Sequence, residues 1–175
     1  MTTRAEAPAA AGMSTRARDL SRLYQDGIVA GTFGAATIAA WFLLLDSING
    51  RPFYTPTVLG TAVFRGGGGL ESPQALPISF DMVLAFTWFH ELVFVVIGGA
   101  ASLLLAQAEK RPNVGFGVVL LFVVFEFGFV AAASVFAEGV LHALTMPAIF
   151  VGNLLAAAAM GVYLWRRHPR LKIEP

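Results

Sequence analysis

An all-α integral membrane protein, a four-transmembrane-helix antiparallel bundle with short interfacial helices, is the fold class the chain predicts. Three observations carry that expectation. Apolar segments at about 27–45, 83–106, 114–136 and 148–165 are each long enough to cross a hydrocarbon core of about 30 Å at about 1.5 Å of rise per residue. Apolar residues make up 57% of the 175 positions and charged residues 13%, which puts the chain in the membrane class. Ten of the twelve Lys and Arg residues then fall on one side of the segments: Arg4, Arg16, Arg18, Arg22, Lys110, Arg111, Arg166, Arg167, Arg170 and Lys172. Only Arg51 and Arg65 lie on the other. The positive-inside rule places both termini in the cytoplasm and turns the 49–79 and 139–146 connections outward. The setting this implies is a bacterial cytoplasmic membrane.

Residues 1–13, rich in Ala, Thr and Pro, are expected as a disordered cytoplasmic tail. From Ser14, a potential N-cap, Leu20, Leu23 and Tyr24 share a helical face flanked by Arg16, Arg18 and Arg22, which predicts an interfacial helix over 14–25. A four-helix membrane domain follows over 26–167. Its first span lacks the Ala-x-Ala context of a cleaved leader and is read as an uncleaved helix. Gly27, Gly31, Ala35 and Ala39 recur along it every fourth residue, a stripe that lets a neighbouring helix approach where apolar side chains gain nothing by leaving lipid. In the long 49–79 connection, Thr55-Pro56 starts a short helix, Val58, Leu59, Val63 and Phe64 supply an apolar face, and Gly66 to Gly69 stop it. That helix is expected to lie on the outer membrane surface. Small residues also mark the other spans, at Gly98 and Ser102, Gly128 and Ala132, and Gly152 and Ala156. Pro147 suits the first turn of the fourth helix, with Thr145 nearby as a cap, and 168–175 forms a basic cytoplasmic tail.

Ionisable groups deep in a bilayer are costly and mark sites by default. His90 and Glu91 fall near the middle of the second span and Glu126 near the middle of the third, at similar depth in an antiparallel bundle. The functional reading is a proton, ion, quinone or metal site. The plainer reading is an interhelical Glu91–Glu126 hydrogen bond that fixes helix register. Asp46, Asp81, Glu138 and His142 gather near the outer boundary as a possible cation site, against hydrated interfacial charges that need no partner. Aromatic residues surround both polar points of the spans: Phe86, Trp88, Phe89 and Phe94 about His90-Glu91, and Phe122, Phe125, Phe127 and Phe129 about Glu126. They border a lipid-like ligand or simply pack.

Several chemistries are disfavoured. Cysteine is absent, so disulfides, thiolate metal sites and cysteine nucleophiles are excluded. Only His90 among three histidines is inside a span, which argues against bis-histidine haem held by this chain alone. There is no Glu-x-x-His pair for a ferritin-like di-iron site, and the glycine run lacks a following Gly-Lys-Ser/Thr. No cofactor is predicted, with metal, quinone and pigment left open, and the basic residues read as topology signals and lipid contacts, not as a nucleic-acid footprint. The leading expectation is a non-enzymatic accessory or scaffold subunit that contacts the lipid bilayer and packs against other membrane helices in a homo- or hetero-oligomer. A proton-, ion- or redox-linked component using His90, Glu91 and Glu126 is the second, and a metal- or lipid-dependent membrane enzyme the third.

Overall fold

The computed structural model describes residues 6–66, 68–70, 72–109, 124 and 145–167. The described part is helical: α1 spans Glu6–Ile48, α2 Tyr54–Phe64, α3 Phe80–Ala108 and α4 Met146–Arg167, with a 3-10 turn at Pro73–Ala75. Three of these contain stretches long and apolar enough to cross a membrane, Leu20–Ile48, Phe80–Ala108 and Met146–Arg167. The segment expected as a further span at 114–136 lies outside the described residues, apart from position 124.

α1 runs unbroken for 43 residues, through positions that the sequence assigns to the tail, the interfacial helix and the first span. Its first turns are alanine-rich, the strongest helix-forming composition, and Pro8 sits in the first turn, where a missing N–H is harmless. The helix ends in a Schellman motif. Gly50, at φ 70°, supplies the left-handed residue, its N–H donates to the Ser47 carbonyl at 3.0 Å, and the Arg51 N–H donates to the Asp46 carbonyl at 2.8 Å. At the start of α4, Pro147 occupies the first turn and the Ile149 N–H donates to the Thr145 carbonyl at 3.2 Å.

α1 is the common partner of both other long helices. It runs antiparallel to α3, since Leu23 meets Ser102, Gly27 meets Gly98 and Gly99, Gly31 meets Phe94 and Val95, and Thr32 meets Glu91. It is equally antiparallel to α4, where Asp26 meets Arg167, Gly34 meets Met160, and Trp41 meets Ala148 and Gly152. α3 and α4 therefore point the same way. α2 packs on the N-terminal half of α3: the Phe53 and Phe80 rings stand 5.9 Å apart, Gly60 abuts the Met82 carbonyl, and the Phe64 and Phe89 rings stand 6.0 Å apart.

α2 differs from the surface helix expected from its apolar face. The side it buries is threonine-rich, with Thr55, Thr57, Val58, Gly60 and Thr61 inside, while Val63 and Phe64 are exposed. Those hydroxyls can be buried because each has a partner: Thr57 donates to the Phe53 carbonyl and Thr61 to the Thr57 carbonyl, both at 2.8 Å. Val58 closes over Leu70 and Ile149, flanked by Phe42, Tyr54 and Leu76, and this cluster seals the end where α1 finishes and α4 begins.

Candidate functional site

The α1–α3 seam is built from backbone contact. A Cβ added at Gly27 would stand 2.7 Å from Gly99 Cα, one at Gly31 would collide with the Phe94 carbonyl, and one at Gly98 would collide with the Gly27 carbonyl. The stripe read from the sequence thus faces α3 through Gly27, Gly31 and the buried Ala35, whereas Ala39 is exposed. Ser102, fully buried, donates to the Leu23 carbonyl at 2.9 Å and ties one end of the seam.

Near the middle, α3 presents two adjacent polar residues to α1. Glu91 accepts a hydrogen bond from the Thr32 hydroxyl at Oε1, 2.7 Å away. A carboxylate accepts from that hydroxyl and a carboxylic acid donates to it, so the contact survives either protonation state. His90, about 100° further around the helix, lies between Phe86 and Phe94, with ring centroids at 5.6 and 4.7 Å, and against the backbone of Ala35. Its Nε2 is buried and has no hydrogen-bond partner among the described residues. Glu126, the third member of the expected cluster, lies outside the described residues. Of the aromatic set around His90-Glu91, Phe86 and Phe94 flank His90, Phe89 turns to α2, and Trp88 is 76% exposed. Phe122, Phe125, Phe127 and Phe129 are outside the described residues.

No known protein-family model matches the chain, and no curated protein or solved structure is detectably similar to it. The geometry has to be read by itself.

Asp46, expected in an outer cation site, is occupied with capping. Buried at the end of α1, it accepts from the Thr55 N–H at 2.7 Å through Oδ2 and from the Thr55 hydroxyl at 2.8 Å through Oδ1. It thereby satisfies a donor in the first turn of α2, the task normally done by a cap residue of the same helix. Arg51 braces the arrangement, donating to the Leu76 carbonyl at 2.8 Å and stacking 4.1 Å above the Tyr54 ring. Burial pushes the Tyr54 phenol above its usual pKa, and the Arg51 charge opposes the shift. Asp81 is exposed in the first turn of α3, where the helix dipole favours an anion. Glu138 and His142 lie outside the described residues. Among the described residues no three His, Asp or Glu side chains gather as a metal site.

Sequence reasoning missed a further polar contact at the opposite end. Asp26, buried in α1, accepts from Arg167 Nε at 2.8 Å and from the Tyr163 hydroxyl at 3.2 Å. The available signal was an acid at one end of an apolar stretch and a base in the last turn of another.

Proposed function

We propose that this protein is a small four-span membrane protein, with both termini on the cytoplasmic side of a bacterial inner membrane, that serves as a non-enzymatic accessory or scaffold subunit. Its partners are other membrane helices. The observation that carries the reading is where the polar groups go. Asp26, Thr32, Trp41, Asp46 and Ser102 each hydrogen-bond from α1 or α3 to another part of the chain, while the outward surface of α3 runs through Leu84, Trp88, Leu92 and Val96. Polar chemistry is used to fix helices to one another, and apolar surface is left for lipid and partner helices.

A fourth span is supported by direction. α3 and α4 point the same way, so residues 109–145 join opposite ends of that pair, and the apolar 114–136 stretch has a length that crosses a bilayer. Native-membrane purification in mild detergent, followed by mass spectrometry of co-purifying subunits, metals and pigments, tests the function. Stoichiometric membrane subunits are expected. Recovery of the protein alone, with a bound metal or pigment, overturns the scaffold reading.

A proton-, ion- or redox-linked role is the second reading, favoured by the buried Nε2 of His90 beside Glu91, which has no partner among the described residues. It expects Glu91→Gln to abolish coupled transport or electron flow in a folded protein. Retention of that activity removes it.

A further inference from the structure

We propose that the C-terminal end of α4 carries a discrete site for one anionic glycerophospholipid, with Arg166 taking the head-group phosphate and Gly161 and Val162 receiving the start of an acyl chain beside Trp165. Gly161, Val162, Trp165 and Arg166 line a shallow groove of about 420 Å³ on the outer face of the helix. Their numbering makes them two rows, 161 with 165 and 162 with 166, and residues four apart lie one above the other on a helix. Gly161 forms the notch, because a Cβ built there would meet nothing within 4 Å among the described residues. Trp165, 53% exposed, stands where a membrane-spanning helix ends, the level at which indole rings favour the head-group boundary.

Charge selects the occupant. The two adjacent arginines have different fates: Arg167 is held by Asp26 at 2.8 Å, whereas Arg166 is exposed and forms no ion pair among the described residues. The C-terminal end of a helix repels anions through its own dipole, so the guanidinium is what makes this groove attractive to a phosphate. Inorganic phosphate would satisfy the guanidinium and leave the apolar notch empty, and a zwitterionic lipid would fill the notch with no net charge. An anionic phospholipid satisfies both. The site requires only that α4 ends at a membrane surface and is independent of whether the protein has helical partners.

The test uses the full-length protein, delipidated in mild detergent, with thermal unfolding followed as phosphatidylglycerol is titrated into the micelles. Phosphatidylcholine and inorganic phosphate are the controls. Phosphatidylglycerol should raise the unfolding midpoint saturably. Arg166→Gln and Gly161→Leu, both at exposed positions, should each weaken that response by about five- to tenfold. Arg167→Gln should lower the starting stability by freeing Asp26 and keep the response. The proposal is overturned if Arg166→Gln and Gly161→Leu respond like the wild type, or if phosphatidylcholine or phosphate reproduces the effect. A lipid-independent dimer that Gly161→Leu dissolves would assign the groove to a second copy and overturn it as well.

Discussion

A charged carboxylate at mid-membrane costs about 2.5–3.5 kcal/mol on insertion scales, and the Thr32 hydroxyl 2.7 Å from Glu91 offsets part of that cost. Interhelical hydrogen bonds of this kind contribute about 0.6 kcal/mol on average. Glu91→Gln should therefore leave thermal unfolding in detergent almost unchanged, since an amide oxygen still accepts from Thr32, while Glu91→Leu and Thr32→Val should each lower the midpoint. Equal loss in all three variants would mean that the charge itself matters. His90 is the converse case, because its buried Nε2 has no hydrogen-bond partner among the described residues. An unsatisfied buried acceptor costs about 1–3 kcal/mol, so His90→Phe, which keeps a ring between Phe86 and Phe94, should match or exceed the wild type in stability. A marked loss would show that the imidazole has a partner in the membrane. At the other end, Asp26 is buried and Arg167 is half exposed. Arg167→Ala should thus destabilise more than Asp26→Asn, because a freed guanidinium reaches water and a freed buried carboxylate does not. The reverse order in parallel melts would contradict this geometry.

Between neighbouring glycines the α1–α3 seam makes a sharp distinction. A Cβ at Gly98 would enter the Gly27 carbonyl, whereas one at Gly99 would meet nothing within 4 Å among the described residues. Gly98→Ala should cost about 1–3 kcal/mol by forcing the backbones apart, and Gly99→Ala should be neutral or stabilise by up to about 1 kcal/mol through helix propensity. Detergent melts of the two variants decide it, and equal tolerance would mean that the helices do not approach so closely. The positions of α3 and α4 were legible in the sequence to within a few residues, because an apolar run of bilayer length has few alternatives: 83–106 was expected for α3, which is Phe80–Ala108, and 148–165 for α4, which is Met146–Arg167. The four-residue recurrence of Gly27, Gly31 and Ala35 was legible for the same reason. Which neighbour each residue meets was not. Thr32 to Glu91, Asp46 to Thr55 and Asp26 to Arg167 depend on how each helix is rotated about its axis, and hydropathy carries no such phase. Asp46 illustrates the loss, since nothing in its interfacial position pointed to the Thr55 N–H and hydroxyl nine residues away that it accepts from.

For the molecule as a whole, orientation rests on the arginines and lysines, and it is open to a direct test. In intact cells an impermeant thiol reagent should label Ser72→Cys and spare Ser14→Cys, since in the proposed four-span topology ten of the twelve basic residues lie on the side of Ser14. The opposite labelling would invert the topology. Every extensive contact among the three long helices of the described structure includes α1. Because synthesis proceeds from the N-terminus, that shared partner enters the bilayer before either of the helices that dock on it. On that order α3 and α4 should each dock on a surface already in place. The same order exposes a weakness: a bulky residue placed in the Gly27–Gly31 face spoils the template for one late arrival and leaves the Trp41 end free to receive the second, so a damaged chain should stall half-built, with α4 docked and α3 astray.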